Sequence, residues 1–428
     1  IKMSEYIITN VYARQVFNTL WTPCVEATVE INHSVTGSAI SPQGQSTGSD
    51  EACELHDGGT RFGGIGCDKA VAMVNTEIRD ALIGMDATDQ RSIDFAMIKL
   101  DGTPNKARLG ANAVVAVSCA AAVAAAKAAK LPLYRYLNSN AHILPVPFLS
   151  TMDGGHYAFG YASEFQEFNI FPVGGETLTQ SLEMCREVHM RLGDILVKEY
   201  GPLAKMVNSA GGYSVKCRSA RRTFEYILGA IDDCGYTGKI VVGADCAASQ
   251  WYDKESDRYN FEGEMRTREE MMDYYKKLVA DYPVVSLEDP FDENDVKGFQ
   301  MSMELGIQIV GDDFFVTNPT ILKKKLPYKA ANAMLWKYNQ IGTLSEAFDA
   351  ADIAMHNGYG LMASERSGES EDAILSDLVV ALGAGQIKTG TLNRTERVAK
   401  YNRMMAIEAE LGDRAVYAGQ FFAKPCMK

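Results

Sequence analysis

The stretch Pro283–Phe291, PVVSLEDPF, is a short apolar run that stops at two acids, Glu288 and Asp289. The pattern recurs along the second half of the chain. KIVVGADCA (Lys239–Ala247) stops near Asp245, and IQIVGDDFF (Ile307–Phe315) at Asp312 and Asp313. NAMLWKYNQ (Asn332–Gln340) stops at Lys337, GYGLMASERS (Gly358–Ser367) at Glu365 and Arg366, and GQIKTG (Gly385–Gly390) at Lys388. From Glu288 onward the spacing is about 23 to 28 residues, the length of one strand–helix unit. Runs that are apolar throughout suit a parallel sheet covered by helices. Charged residues at the strand C-termini are what the active mouth of a barrel requires. The fold expected is α/β: a modified (β/α)8 barrel of the TIM type, preceded by an α+β capping domain.

The first part of the chain mixes elements. CVEATVEI (Cys24–Ile31) alternates as a half-buried strand does. The polar, glycine-containing stretch SPQGQSTGSDEA that begins at Ser41 reads as a loop able to move. GGTRFGGIG (Gly58–Gly66) is glycine-rich, but no strand leads into it and no GK[ST] follows, so it is not a phosphate loop. Helices are expected over roughly Cys67–Gly84 and Leu109–Ala129. LPVPF (Leu144–Phe148) marks the entry to the second domain, which gives 1–141 for the cap and 142–428 for the barrel.

The chain has 428 residues, long enough for two domains. Its net charge of -13 repels phosphodiester backbones, so nucleic acid is not an expected partner. An anionic small molecule would need a metal or a local basic cluster to overcome that field. Nine scattered cysteines form no CxxC pair, which fits a reducing cytoplasm better than a disulfide framework. The alanine-rich run from Ala111 to Lys130 reads as a buried helix rather than a membrane span.

Asp245, Glu288 and Asp312 come from three successive strands. Three hard oxygen donors at one barrel mouth suit Mg²⁺; taken singly, each acid reads equally as a solvated strand end. Lys337 and Lys388 come from later strands. A lysine beside a metal and a second cation has a lowered pKa and can act as a base on a proton next to a carboxylate. A pair of salt-bridged lysines is the other reading. Arg366 with Ser367 can hold a phosphate or carboxylate, or can form a surface ion pair.

At these residues the chain resembles the enolase family over essentially its whole length. The matching motifs include DGTPNKARLGANAVVAVS (Asp101–Ser118), FQEFNI (Phe165–Ile170), SLEDPF, VTNP (Val316–Pro319), NQIGTLSEA (Asn339–Ala347), RSGESED (Arg366–Asp372) and QIKTG. The resemblance implies dehydration of 2-phosphoglycerate to phosphoenolpyruvate in glycolysis, by a homodimer or ring of dimers. It implies that Asp245, Glu288 and Asp312 bind the first Mg²⁺ and that Ser46 closes over a second. It further implies that Lys337 takes the α-proton, Lys388 holds the substrate carboxylate, and Arg366 and Ser367 hold the phosphate. Gln166 and Glu167 would support the reacting centre.

The departures are as specific as the matches. Where enolases read G-D-E-G-G, this chain reads Asn208-Ser209-Ala210-Gly211-Gly212, so the glutamate assigned to protonate the leaving hydroxyl is absent. Where they read S-H-R-S-G-E, Glu365 replaces the histidine. G-G-S-H-A-G-G becomes GGHYAFG from Gly154, with His156 one place early as the remaining substrate-binding candidate and Tyr157, Phe159 and Tyr161 reshaping the lid. D-S-R-G-N-P-T becomes NTLWTPC from Asn18, losing its charged pair. Loss of a general acid typically costs about 10²- to 10⁴-fold. Three outcomes follow: a lyase whose acid has moved, with Glu365 as the candidate; another reaction on a phosphorylated or dianionic acid; or a non-catalytic binding protein. Against the first stands the plainer reading that Glu365 pairs with an arginine.

Overall fold

The computed structural model describes residues 6–158 and 162–419. The chain begins with an antiparallel meander, β1 (Ile8–Phe17), β2 (Pro23–Ile31) and β3 (Val35–Ile40), in the order β1-β2-β3. β2 is the middle strand and is buried over most of its length rather than on one face. Helix α1 (Gln90–Asp101), which the sequence reading passed over, is capped by Asp89, whose side chain accepts from the Ser92 amide. Helix α2 (Ala111–Ala128) packs on the meander. It is long and apolar enough to cross a membrane, but 83% of it is buried inside the protein. Its small side chains let backbones touch: a Cβ at Gly37 of β3 would lie 2.2 Å from the Ala124 nitrogen. The expected helix over 67–84 is present as a helical run from Asp68 to Leu82, interrupted by a π turn at Val74–Ile78.

Eight strands close the barrel: β4 (Val146–Asp153), β5 (Glu167–Phe171), β6 (Val241–Asp245), β7 (Val284–Glu288), β8 (Gln308–Gly311), β9 (Ala333–Trp336), β10 (Gly360–Ser364) and β11 (Gly385–Lys388). The modification of the repeat lies at β5, which runs antiparallel to both neighbours, while every other pairing in the barrel is parallel. Among the described residues, only the short helical turn Gly155–Ala158 lies between β4 and β5. Helices α3 (Leu178–Tyr200) and α4 (Ala220–Asp233) instead follow β5 as a packed pair. Helix α5 (Thr395–Leu411) follows β11.

The reversal of β5 matters for the site. In an antiparallel strand the first residue, not the last, lies at the C-terminal mouth of its neighbours. Glu167 therefore pairs in register with Asp153 at the end of β4 and with Asp245 at the end of β6, and Asp245 pairs with Glu288. Four carboxylates form one row across four adjacent strands. Two residues below, on the same inward face, Ser286, Gln308 and Gln386 hydrogen-bond to one another and floor the mouth with a polar layer.

Candidate active site at the barrel mouth

Asp245 and Glu288 end their strands, Asp312 and Lys337 fall one residue beyond theirs, and Lys388 ends the last strand. All are buried to some degree in a narrow mouth. Lys388 Nζ lies 2.8 Å from Asp245 Oδ2, 2.9 Å from Glu288 Oε2 and 3.5 Å from Glu167 Oε2. Burial works against its charge, but Asp245, Glu167 and Glu288 outweigh it and hold the ammonium well above its usual pKa. Lys337 Nζ donates to Asp312 Oδ2 at 2.5 Å. The sequence reading expected a lowered pKa for Lys337. Burial does press it down, yet Asp312 overrides this and the pKa is raised. The partner that would lower it, a metal holding the Asp312 charge, is not part of the chain.

One cavity brings together Gln166, Glu167, Asp245, Lys337, Arg366, Ser367 and Lys388, with Ser46, Tyr157, Ala210, Glu365 and Arg397 on its walls. Glu288 lies behind Lys388, and Asp312 faces an adjoining outer cavity that shares Ser46, Gln166 and Asp245. Gln166 donates to Asp245 Oδ2 at 3.1 Å. His156 does not reach the inner cavity. It is exposed on the short helical turn Gly155–Ala158 and borders the outer one, its backbone amide donating to Gln250 Oε1. Tyr157 reaches inward instead, and burial together with Glu167 pushes its hydroxyl pKa far up. Phe159 and Tyr161 lie outside the described residues, as does the tail from Gln420 onward.

The anion-binding pair is engaged by the Ser46 loop. Arg366 is bidentate with Glu51, at 2.9 and 3.1 Å, and also donates to the Ser46 carbonyl and to Asn339 Oδ1. The Gln45 amide donates to Ser367 Oγ at 2.6 Å. A Cβ at Gly44 would lie 1.9 Å from Arg366 Nη2, so only glycine lets the loop settle on the guanidinium.

The oxygen-only donor set fits a hard divalent cation. The charge balance fits it as well. Burial, with neighbouring carboxylates, pushes Glu288 and Asp289 well up and raises Asp153 and Asp313 to about 8. A bound cation would offset that pressure toward the neutral acids. Among the described residues, the carboxylates whose oxygens lie close enough together to share an ion are Asp289, Asp312 and Asp313, not the expected set Asp245, Glu288 and Asp312. Asp289 is committed elsewhere, because its two oxygens accept from the Asp312 and Asp313 amides at 2.9 Å each.

Four residues of this site escaped the sequence reading. Asp153 ends β4, an apolar run closed by an acid, and so obeys the rule that found the others. Glu51 and Gln340 carry no such signal. Gln340 donates to Asp312 Oδ1 at 2.9 Å and toward Glu51 at 3.4 Å. Arg397 is fully buried, pairs with Glu365, and donates to the carbonyls of Arg366, Ser367 and Ser209. A signal was present: Arg397 and Lys400 fall in phase with Met404, Ile407 and Leu411 on the buried face of α5.

A barrel whose mouth gathers carboxylates, two lysines and an arginine–serine pair defines a class of metal-assisted enzymes acting on small anions. The family models described as Enolase, N-terminal domain and Enolase, C-terminal TIM barrel domain match residues 8–137 and 141–426. The enolase of Methanocaldococcus jannaschii is 49% identical over 98% of this chain and 99% of its own length. The enolases of Thermococcus gammatolerans and Bifidobacterium animalis subsp. lactis are 47% and 46% identical, the former over 99% of both chains and the latter over 98% of this one and 99% of its own. The chain belongs to the enolase family.

Proposed function

We propose that this lyase dehydrates 2-phosphoglycerate to phosphoenolpyruvate with Mg²⁺ held by Asp245, Glu288 and Asp312, and with Ser46 serving a second ion. The observation that carries the reading is the shared cavity of Lys337, Lys388, Arg366 and Ser367, which matches a dianionic acid with an acidic α-proton. Bound Mg²⁺ supplies positive charge at the substrate carboxylate and so acidifies the neighbouring C–H. Lys337 takes that proton. Asp312 is what keeps its ammonium charged, and Asp312 committed to another ligand leaves the amine free to act as base. Lys388 holds the substrate carboxylate, Arg366 and Ser367 hold the phosphate, and Gln166 and Glu167 fix the row on which Asp245 sits. His156 borders only the outer cavity and is given no contact with the substrate.

The reading places the protein in the cytoplasm as a homodimer or ring of dimers. Exposed apolar side chains such as Trp21 (85%) and Leu203 (76%) are surfaces that a second copy would cover. Absorbance of phosphoenolpyruvate formed from 2-phosphoglycerate and Mg²⁺ tests the activity. Product is expected with the unmodified chain, and a loss of about 10²-fold or more with Lys337→Ala. Equal rates for the two would refute the assignment.

A further inference from the structure

Dehydration needs an acid as well as a base, because hydroxide leaves poorly. The loop Asn208–Gly212 contributes only Ala210 to the lining of the cavity that holds Lys337. The proton donors left on the cavity walls are few. Glu167 sits against Lys388, and Tyr157 holds its proton too tightly. Glu365 remains.

Its geometry is that of a held carboxyl with one free oxygen. Oε2 is taken: Arg397 Nη1 pairs with it and Thr389 Oγ1 donates to it at 3.0 Å. Oε1 has no such partner and lies on the Gly390 side, in the cavity that Ala210 also lines. Gly390 is wedged between them, at φ +65°, so that a Cβ there would lie 3.0 Å from Glu365 Oε1 and 2.5 Å from the Ala210 carbonyl. Arg397 also donates to the Ser209 carbonyl at 3.0 Å, clipping the altered loop to the altered strand end. The two departures from the family pattern are therefore one corner of one cavity.

We propose that Glu365 is the general acid of this protein, and that its Oε1 delivers the proton to the leaving C3 hydroxyl from the place that Ala210 vacates. This rests on the dehydration reading above. Lys337 takes the C2 proton. The C2–H electron pair becomes the C2=C3 bond, and the C3–O bond breaks with its pair on oxygen. That oxygen takes the Glu365 proton and leaves as water. The Glu365 carboxylate left behind faces Arg397, and solvent exchange returns both side chains to their starting states. The groups facing Glu365 are Arg397 and Lys400 from α5, Glu369 from its own segment and Glu167 from β5. Burial outweighs Arg397 and raises the carboxyl to about 7, so a proton is available near neutrality.

The test measures phosphoenolpyruvate formation and α-proton exchange of 2-phosphoglycerate in parallel. Glu365→Gln is expected to cut product formation by about 10²- to 10⁴-fold while exchange continues. Ala210→Glu in that background is expected to restore product at least tenfold, which a structural role for Glu365 would not allow. Glu365→Asp keeps the pair with Arg397 and covers the case in which the glutamine variant fails to fold; it is expected to lose product formation more than exchange. Product formation by Glu365→Gln within twofold of the unmodified chain, or no rescue in a variant with an unchanged circular dichroism spectrum, overturns the assignment. An unmodified chain that shows neither exchange nor product overturns the substrate reading itself, and the acid with it.

Discussion

Arg366 has four η N–H groups, and Glu51 takes two of them, the Ser46 carbonyl one and Asn339 one. A phosphate can be gripped by this fork only by displacing one of those partners, and the charged competitor is Glu51. Glu51→Gln keeps the shape and removes the competing charge. It is expected to tighten binding of inorganic phosphate about tenfold, the scale of one charge-assisted hydrogen bond; titration calorimetry reads this directly, and weaker binding would show that Glu51 positions Arg366 rather than competing for ligand. His189 carries a second residue-level prediction. It stacks on Tyr213 at 4.2 Å behind the Ala210 loop, its Nδ1 has no partner, and burial lowers its pKa to about 4. A folded pKa below the unfolded value gives stability that is present above about pH 6.5 and lost as pH falls toward 4, up to about 3 kcal/mol. His189→Phe keeps the stack, so its melting temperature should fall less than that of the unmodified chain between pH 6.5 and 4. Parallel curves would contradict this.

At the scale of elements, the close approach of β3 to α2 is as consequential as any side chain. With 2.2 Å between a Gly37 Cβ and the Ala124 nitrogen, and 2.7 Å to the Ala120 carbonyl, Gly37→Ala meets helix backbone that cannot rotate away. Denaturant unfolding should show a loss of about 1–3 kcal/mol; no loss would mean that the strand and helix separate freely. Six of the barrel strands were legible in the sequence because each is a short apolar run with a charged end, and the parallel strands from β6 to β11 appear where PVVSLEDPF and its repeats place them. The reversal of β5 was not legible. FQEFNI reads alike in either direction, and the pairing of Glu167 with Asp153 and Asp245 is settled only by the closed sheet. The site shows the same division. Lys337 and Lys388 declare themselves at strand ends, whereas Glu51 reads as one more acid in a polar loop, and Gln340 as an amide in a short helix. Their roles come from the contact between that loop and the barrel, which no local pattern encodes.

Taken as a whole, the molecule places an acidic mouth inside an acidic protein. The net charge is -13, and the row Asp153, Glu167, Asp245 and Glu288 concentrates that excess where burial makes it costly. Lys388 and Lys337 relieve part of it. A divalent cation should relieve more and so stabilise the fold: at a Mg²⁺ concentration of 100 times Kd the gain is about 2.7 kcal/mol. Thermal melting with and without Mg²⁺ reads that gain, and Asp245→Asn should lose most of it. Equal melting temperatures at saturating Mg²⁺ would mean that the lysines already satisfy the row.

The most direct test is proton NMR of 2-phosphoglycerate with the protein and Mg²⁺ in D₂O. Loss of the α-proton signal to deuterium, abolished by Lys337→Ala, is the predicted result, because abstraction needs only the Lys337 side of the mouth and not the replaced acid. An α-proton that stays put through prolonged incubation would contradict the account, for it would mean that Lys337 and the carboxylate row do not act on this substrate.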